Sequence, residues 1–506
     1  MSKEVLFEKE AIRRIKYGLD TVCNAVVGTI GPAGSNVFLD DMLTPKITND
    51  GVSIANQITL EDKFENMGAW LAKNAASQTN DDAGDATTTT LALLQATTDE
   101  CLARPEKPVI IMRSLMDAKK KVHAELKKQA RPISPKEAIS VARISAENEE
   151  LAQLVHEVVV KVGHKSVIAI EDNKEGFSSD YKIVQGYEAN VGFMSPYFRN
   201  DPEKARAVHE NIAVLCTAKK LTTIQDLKIF EKFEAQKITS LVIIAEDIDP
   251  QILGIFVQSH LVRKMELLVI RATGPLLEDI AASVGASIIS EDTGISFENF
   301  DPKKHLGKAK RVVSEEKKTV FISNAPSASM HASRLEALAK ENPNMFEQKK
   351  YRERASKLRG GVAVIRIGAH TDSERNYLKD KAEDCVNAVK SAIEEGVVEG
   401  GGMTLYRIAN AMKPKTPGEE ILKRSLTAPL RKIIQNTGKD YADILKDLPK
   451  GMGYDAKNDV YADFWKEGIL DPVKAERCAI ENAVSTAALF ITTHAAVSDY
   501  VEPKKD

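Results

Sequence analysis

The sequence predicts a multidomain protein of mixed α and α/β class, in which a helical domain is interrupted by an inserted α/β domain. Its 506 residues, 43% of them hydrophobic, exceed what one core organises, because single cores stop growing beyond roughly 250–300 residues. The hydrophobic periodicity is helical towards both ends of the chain and strand-like in the centre. The central apolar runs are short, which is typical of strands buried on both faces of a parallel sheet.

The amino-terminal part is predicted to be mainly helical. Apolar residues recur at three- and four-residue intervals from Ala11 to Val27, which indicates a helix with one buried face, and Gly28 ends it. Two short strands are predicted at 37–39 and 46–48. The helical spacing then returns at residues 60–76, 87–102 and 114–129.

The centre of the chain predicts a sheet. Ser240–Ala245 and Glu266–Arg271 are apolar runs separated by a helical segment, the pattern of neighbouring parallel strands. A long helix from Ser373 to Glu395 then leads back into helical sequence. Further strands are predicted at residues 166–171, 180–184 and 361–368.

Charge and composition exclude several classes of protein. A net charge of −3 with 28% charged residues is ordinary for a soluble protein and predicts no nucleic-acid and no membrane partner. The charged N-terminus lacks the apolar core of a signal peptide, and no run reaches the ~20 apolar residues of a membrane helix. The five cysteines include no CxxC pair, which favours a cytoplasmic location over a disulfide framework or a zinc site.

The first candidate for chemistry is TIGPAGSNV, from Thr29 to Val37. Its glycines, together with Pro32, let backbone N–H groups converge on an anion without obstruction by side chains. A helix precedes it where a dinucleotide-binding fingerprint requires a strand. From these residues alone, an ordinary loop remains the alternative to an anion site.

The second candidate is GDATTTT, from Gly84 to Thr90. Four consecutive threonines are poor in a helix interior but suit a helix N-terminus, where N–H groups and hydroxyls can bind phosphate. Asp85 is predicted either to cap this helix or to bind magnesium, because a carboxylate beside a phosphate needs an intervening cation. A third segment, Gly400–Gly402, allows close approach of a ligand or forms a hinge.

The ordered set of motifs resembles group I chaperonins along nearly the whole chain. A single motif is unspecific, whereas the set in the family's order and at similar spacings is specific. The resemblance implies the chaperonin fold, with a helical equatorial ATPase domain, a small α+β intermediate hinge domain and an inserted α/β apical domain. The matching segments are TIGPAGSNV (29–37), TNDGVSIA (48–55), GDATTTT (84–90), GFMSPYF (192–198), GGVAVIRIGA (360–369), EEGVVEGGG (394–402) and GILDP (468–472).

The resemblance also implies the domain boundaries. The equatorial domain comprises residues 1–130 and 397–506, the intermediate domain 131–185 and 362–396, and the apical domain 186–361. Seven such subunits are expected to form a ring, either single or double.

ATP and Mg²⁺ are the cofactors that the resemblance implies. Asp50 and Asp384 would flank the attacking water as the catalytic pair, and Asp85 would bind the magnesium ion. Because Asp384 lies on the predicted hinge helix, its use predicts that hydrolysis is coupled to movement of that domain. The residues implied for the nucleotide are Thr29, Ile30, Gly31 and Pro32, then Asp85, Ala86, Thr87, Thr88 and Thr89 at the phosphates, Gly401 and Asp471 at the ribose, and Asp455 and Ala456 near the adenine.

Non-native proteins are the implied clients, and a co-chaperonin lid is left open. A surface that binds unfolded proteins must itself expose apolar side chains, which are otherwise rare in large patches. Core packing is the alternative for each candidate. The side chains predicted to form an exposed client-binding patch are Phe193, Tyr197, Phe198, Leu253 and Val257, with Leu227 and Phe230 as further candidates.

The chain departs from the family pattern near the phosphates. Ala33, Ser35 and Asn49 stand where basic residues are usual, and Ala86 stands where glycine is usual. These changes remove positive charge, so weaker nucleotide binding is expected.

A second group of departures falls where family members make ring-to-ring contacts. Pro105 and Pro108 are predicted to stop the helix that would present one contact, and Asp443 adds a negative charge at the other. Single rings are therefore expected to be substantially populated during the ATP cycle.

The function predicted from this resemblance is that of an ATP-driven chaperonin ring subunit. One alternative is a chaperonin-like holdase that binds nucleotide but turns it over poorly, although Asp50, Asp85 and Asp384 argue against it. The other alternative is a small-molecule kinase, but the chain has no GxxxxGK[ST] loop.

Overall fold

A computed structural model describes residues 3–40, 46–164, 166, 168–173, 176–201, 205–342, 344–359 and 361–499. The chain forms two compact units. The first is built from residues 1–164, 170–180 and 367–506, and the second from 165–169 and 181–366. The finer division into three domains stays a prediction, and Gly360 of the GGVAVIRIGA motif lies outside the described residues.

Helices and strands follow one another as the periodicity predicts over much of the chain. The helices are Glu8–Val27 (α1), Gly51–Gln57 (α2), Lys63–Ala83 (α3), Thr87–Leu102 (α4), Pro108–Gln129 (α5), Ile139–Ala146 (α6), Glu149–Val162 (α7), Ile229–Ala235 (α8), Pro250–Leu261 (α9), Gly274–Val284 (α10), Pro302–His305 (α11), Pro326–Glu341 (α12), Met345–Arg359 (α13), Asp372–Glu395 (α14), Met403–Ala411 (α15), Pro417–Ser425 (α16), Ala428–Asn436 (α17), Tyr441–Lys446 (α18), Phe464–Glu467 (α19) and Val473–Ile491 (α20). The strands are Lys3–Phe7 (β1), Val37–Leu39 (β2), Lys46–Thr48 (β3), Ile168–Asp172 (β4), Asp180–Ala189 (β5), Ala207–Thr217 (β6), Ser240–Ala245 (β7), Glu266–Arg271 (β8), Ile288–Ile289 (β9), Gly307–Ser314 (β10), Thr319–Ile322 (β11), Gly361–Ile367 (β12), Val397–Glu399 (β13), Gly453–Asp455 (β14), Val460–Ala462 (β15), Leu470–Pro472 (β16) and Ala495–Asp499 (β17).

The core of the first unit is a bundle of long helices. Buried faces of α1, α3, α4, α5 and α20 pack together, as the three- and four-residue spacing predicts. Helices α1 and α3 cross closely at Gly18 and Gly68, where an added Cβ would lie 1.7 Å from a backbone oxygen of the other helix. Only glycine permits that approach. The crossing therefore fixes the position of α1 against α3, and with it the position of the segment that follows α1.

Four two-stranded sheets lie in the described part of the first unit, and two of them contain strands from the amino-terminal part of the chain. Strand β1 pairs antiparallel with β17, from Lys3 opposite Asp499 to Phe7 opposite Ala495. Strand β2 pairs antiparallel with β3. Each of these sheets has two strands among the described residues, so each keeps edges that no described strand covers.

The second unit is organised by one sheet with helices packed against it. Strands β6, β7 and β8 are parallel neighbours, which confirms the parallel strands predicted from the two central apolar runs. Strands β10, β11 and β5 extend the sheet antiparallel from β6, and β12 follows β5. The core holds the fully buried Phe198, Phe233 and Phe321.

Pro108 is the first residue of α5, where proline fits because its missing N–H would have no intrahelical partner. The preceding helix α4 already ends at Leu102. The prediction that these prolines stop a helix was therefore wrong, since Pro108 begins one.

All five cysteines, Cys23, Cys101, Cys216, Cys385 and Cys478, are buried and unpaired. Burial raises the pKa of each thiol. Within the described ranges, no helix has both the length and the apolar character needed to cross a lipid bilayer.

Candidate functional site

The turn after α1 presents Thr29 to Pro32 at the end of a buried helix. Gly31 has a φ of +78° and packs on Ile433, from which an added Cβ would lie 3.1 Å. Asn436 of α17 donates from Nδ2 to the carbonyl oxygen of Ile30 at 2.9 Å, which holds the turn from outside. The segment is thus a rigid turn, because both its own geometry and α17 restrain it.

Helix α4 begins at Thr87 without a side-chain cap. The N-cap is Ala86, in the left-handed region at φ +67°, and Asp85 accepts the N–H of Ala86 at 2.5 Å. The prediction that Asp85 caps the helix was wrong, because the carboxylate turns to the residue beside it. The N–H groups of the first turn therefore remain available to a ligand.

Asp50 is the N-cap of α2, where its carboxylate accepts the N–H of Ser53 at 2.8 Å. The next residue, Gly51, lies against the start of α4, since an added Cβ would be 2.6 Å from Thr87 Oγ1 and 3.0 Å from Thr88 Oγ1. The same Cβ would lie 3.1 Å from Val26, near the end of α1. Two motif segments and the end of α1 therefore meet around Gly51.

Helix α14 brings Asp384 to the same place. Gly84, which ends α3, has no room for a Cβ because Asn387 of α14 would be 2.3 Å away, and Ser391 Oγ donates to the carbonyl oxygen of Ala83 at 3.2 Å. Asn387 lies one turn after Asp384, on the same face of the helix. This docking explains how a carboxylate so distant in sequence joins Asp50 and Asp85.

Asp471, in strand β16, lies near enough to Asp85 for the charge of Asp85 to raise its pKa. Strand β13 pairs with β16 and places Val398 opposite Asp471, just before the Gly400–Gly402 turn. The N–H of Gly401 donates to the Asp471 carboxylate, and an added Cβ at Gly400 would lie 2.8 Å from Asp471 Oδ1. The close packing at Gly400 is therefore against the protein's own carboxylate, and the two alternatives for these glycines, approach of a ligand or a hinge, both stay predictions.

Asp455 and Ala456 lie where β14 ends. The Asp455 carboxylate accepts the N–H of Lys457 at 2.9 Å and the side-chain amide of Asn458 at 2.7 Å, so its own turn occupies it. Ala456 packs against a small cluster that contains Met403 and Phe464. Because Phe464 also lies against Gly401, this cluster connects Asp455 and Ala456 to the Gly400–Gly402 turn.

The pKa shifts indicate a concentration of negative charge. Burial, followed by the charges of Asp50 and Asp85, raises the pKa of Asp384 well above its usual range. Burial also raises the pKa of Asp85, with a further contribution from Asp50, whereas Lys381 opposes it. The Lys381 ammonium is itself engaged by Glu147 at 2.7 Å, so it only partly balances this charge.

The structure thus brings together Asp50, Asp85, Asp384 and Asp471 with the starts of α2 and α4. The prediction from sequence missed Lys381, Asn387, Asn436 and Glu476. Glu476 carries a sequence signal, because it is an acidic residue on the otherwise apolar face of α20. The other three carry none, since polar residues on a helix are ordinarily solvated.

The predicted client-binding residues differ in exposure. Tyr197 is 62% exposed, whereas Phe193 is 8% exposed and Phe198 is fully buried. Phe198 packs against the ring of His260 at 5.6 Å, and Phe193 pairs its backbone with Ile270. The prediction of an exposed patch was wrong for Phe193 and Phe198, because the chain folds these side chains under α9 and onto the sheet edge.

Leu227, Phe230, Leu253 and Val257 are partly buried and pack against the core of the second unit. The Phe230 ring lies 5.3 Å from that of Phe256, which joins α8 to α9. The apolar side chains that do stand exposed beside them are ones that sequence reasoning missed. They are Ile255, Leu261 and Val262, on α9 and directly after it.

Comparison with known proteins gives one family and one fold. The TCP-1/cpn60 chaperonin family model matches residues 22–500. The fold is similar to crystal structures of the chaperonin gp146 from the bacteriophage EL 2 (Pseudomonas aeruginosa), determined in the presence of ATP-BeFx. Crystal form II gives a TM-score of 0.65 at 20% identity and crystal form I a TM-score of 0.61 at 21%, each covering 98% of this chain and 99% of the phage chain. The predicted family and fold class are confirmed.

Proposed function

Because the chain belongs to the TCP-1/cpn60 chaperonin family, we propose that it is an ATP-hydrolysing chaperonin subunit that binds non-native proteins and encloses them in a ring. One observation carries this proposal. Carboxylates from α2, α14 and the loop before α4 converge at an uncapped helix N-terminus, where a polyphosphate and a cation would balance their charge.

The N-terminus of α4 is the proposed phosphate site. The N–H groups of Thr87, Thr88 and Thr89 point along the helix dipole, and their hydroxyls add donors. The turn at Thr29–Pro32 would close over the phosphates from the end of α1. In this arrangement the protein positions the phosphates, which is the main requirement of phosphoryl transfer.

The residues around Asp85 fit a magnesium ion. Burial and the neighbouring carboxylates raise the pKa values of Asp85 and Asp384, and a divalent ion would relieve the repulsion between these groups. Among the described residues, no group of three or more acidic, His or Cys side chains could hold a metal by itself. Mg²⁺ needs no such group, since it binds one or two carboxylates together with phosphate oxygens and water. Asp85 would hold it, and the ion would neutralise charge on the phosphates.

Asp50 and Asp384 are the proposed catalytic pair. They approach the phosphate site from separate helices, so a water molecule between them could be oriented towards the terminal phosphate. Asp384 would accept the proton of that water, because it is the partly buried carboxylate beside Lys381. The Asn387 contact with Gly84 makes this pairing depend on α14 docking, which offers a route from hydrolysis to conformational change.

Nucleoside recognition is proposed around Asp471 and Asp455. Asp471 and Gly401 would meet the ribose, and Asp455 with Ala456 would lie near the adenine. The phage chaperonin crystallised with ATP-BeFx supports ATP as the nucleotide.

Tyr197, Ile255, Leu261 and Val262 are the exposed apolar side chains that support a client surface on and beside α9. Gln251 and Gln258 are exposed on the same helix, so the surface is mixed rather than continuous. Unfolded segments would bind it through apolar contact, with Leu253 and Val257 contributing as α9 shifts.

The seven-membered ring is proposed from the family resemblance, and two small sheets of the first unit support association with neighbouring copies. A two-stranded sheet is marginal alone and presents unpaired backbone groups to another chain. The edges of β1–β17 and β2–β3 could therefore be covered by neighbouring copies, while Phe38, at 73% exposure, would be buried there.

Release of inorganic phosphate from ATP with Mg²⁺, measured beside capture of a denatured protein, tests the proposal. We expect turnover that depends on Mg²⁺ and capture that changes with nucleotide. Capture without phosphate release would show that the protein is a holdase. Phosphate release without any capture would contradict the chaperonin function.

A further inference from the structure

Glu476, in the first turn of α20, is an acidic side chain on the buried face of the helix, where apolar side chains are usual. It is 5% exposed, and its neighbours on the helix, Ala475 and Cys478, belong to the cluster that packs against Ala83 and Ala86. No N–H or O–H group among the described residues reaches Glu476 Oε2. A buried carboxyl group without a donor is costly, so its presence requires an explanation.

The group that Glu476 does meet is another carboxyl group. Its side chain is in hydrogen-bonding contact with Asp471, which also accepts the N–H of Gly401. Two carboxylates form such a contact only when one of them carries a proton. The pair therefore holds one proton between Glu476, inside the protein, and Asp471, at the glycine turn.

The charges around Glu476 and Asp471 favour retention of the proton that the two carboxyl groups share. Asp85 faces both carboxyl groups and is negative, and the backbone N–H of Gly401 approaches only Asp471. The cations on α20 point elsewhere, because Lys474 binds Glu394 at 2.8 Å and Arg477 binds Glu395 at 2.6 Å. Burial, then Asp471, raises the pKa of Glu476 well above its usual range, while burial, then Asp85, raises the pKa of Asp471 to about 6. Of the two carboxyl groups, Glu476 is therefore the one that keeps the shared proton, and Asp471 is the one that ionises first.

We propose that Glu476 is a positioning residue of the nucleotide site, which donates a hydrogen bond to Asp471 and so holds that carboxylate towards the two ribose hydroxyls of ATP. The inference rests on the proposed ATP function. Asp471 accepts from Gly401 and from Glu476, and the remaining lone pairs of its two oxygens would be available to the nucleotide. A vicinal diol, with two O–H donors, is the ligand group that such a carboxylate accepts.

Affinities of the full-length protein for ATP and for 2′,3′-dideoxyATP, both with Mg²⁺, test this role. Their ratio isolates the hydroxyls, because the two nucleotides share their phosphates and the magnesium site. The variants are Glu476→Gln, whose amide donates at every pH, and Glu476→Met, which fills similar space without a donor. Glu467→Gln is the matched control, since Glu467 is exposed.

We expect the wild type and Glu467→Gln to prefer ATP at neutral pH, and Glu476→Met to lose roughly tenfold or more of that preference. In the wild type the preference should also fall as pH rises and Glu476 loses its proton, whereas in Glu476→Gln it should persist. If Glu476→Met keeps the full preference, or if Glu476→Gln follows the same pH profile as the wild type, Glu476 does not position Asp471. If the wild type binds neither nucleotide, the proposed function fails and this inference with it.

A second measurement needs no nucleotide. The difference in infrared absorption between the wild type and Glu476→Gln at neutral pH should contain the carbonyl band of a protonated carboxylic acid. Its absence would show that Glu476 is ionised and cannot donate, which would overturn the inference even if both variants fold and bind ATP.

Discussion

Replacing Asp471 by asparagine should make the nucleotide-free protein more stable at alkaline pH. Burial, then the charge of Asp85, raises the pKa of Asp471 from 3.8 to about 6, so the native state holds this proton more tightly than the unfolded chain does. Stability from such a group is present at low pH and is lost as pH rises through the folded pKa. Asparagine has a similar shape and cannot ionise, so the variant escapes that loss.

The size of the effect follows from the shift. Relative to a carboxylate that titrates normally, Asp471 lowers the unfolding free energy by about 3 kcal/mol at pH 8, where it is ionised, and by about 1.5 kcal/mol at pH 5, where the native state holds a proton that the unfolded chain releases. Asp471→Asn should recover most of these amounts, because the asparagine oxygen can still accept from Gly401 and Glu476. The same variant should bind ATP more weakly, so stability and function change in opposite directions.

Tryptophan fluorescence during urea unfolding measures the stability of the first unit, which contains Asp471. The chain has two tryptophans, Trp70 and Trp465, and both lie in the first unit together with Asp471. The transition should be compared at pH 5 and pH 8 at one protein concentration, with the exposed Asp447→Asn as control. A variant no more stable than the wild type at pH 8, or a gain that is equal at the two pH values, would refute the reasoning.

Four further outcomes are expected. Asp384→Ala should lower ATP hydrolysis by roughly 10²–10⁴-fold while nucleotide binding stays within a few-fold, and unchanged phosphate release would exclude its role as base. Tyr197→Glu should abolish capture of an unfolded protein without affecting ATPase activity. Phe198→Ala should instead destabilise the second unit by about 3–5 kcal/mol in denaturant unfolding. Equal effects of the two substitutions would contradict the difference in burial between Tyr197 and Phe198. Ala86→Gly should stabilise the protein by about 1 kcal/mol in thermal unfolding, because the left-handed backbone strains alanine; a loss of stability would show that no strain is stored there. Asp443 should favour single rings during the ATP cycle, and native mass spectrometry that finds only fourteen-subunit particles in every nucleotide state would exclude this.

The fold was largely predictable because its elements have local signatures. The spacing that predicts α1 and the apolar runs of β7 and β8 depend only on neighbouring residues, and the structure confirms them. The pairing of β1 with β17 joins opposite ends of the sequence and has no local signature. Its register depends on where the helices between the two strands deliver the chain.

The candidate site was predictable only in part. Four threonines after Asp85 indicate a helix N-terminus, but the residue before them turns left-handed, and that local choice decides which residue is the cap. Asp384 looks like any carboxylate on a charged helix, and its partial burial depends on the docking of Asn387 against Gly84. Resemblance to a family could identify Asp384, whereas periodicity could not.

Exposure of aromatic residues was the least predictable property. Phe193, Tyr197 and Phe198 lie within one short segment, yet the first and last are buried and the middle one is exposed. A short 3₁₀ helix at Pro196–Phe198 separates the directions of Tyr197 and Phe198. Tertiary packing against α9 determines which of these side chains is buried, so the sequence of the segment alone does not predict it.

The buried cysteines make the folded protein a poor substrate for thiol reagents. The thiolate is the reactive form, and burial both shields these sulfurs and suppresses their ionisation. Labelling should therefore report transient opening rather than surface exposure. Cys216 lies in the second unit and the other four in the first, so the labelling rate of each cysteine would time the opening of its own unit without any engineered probe.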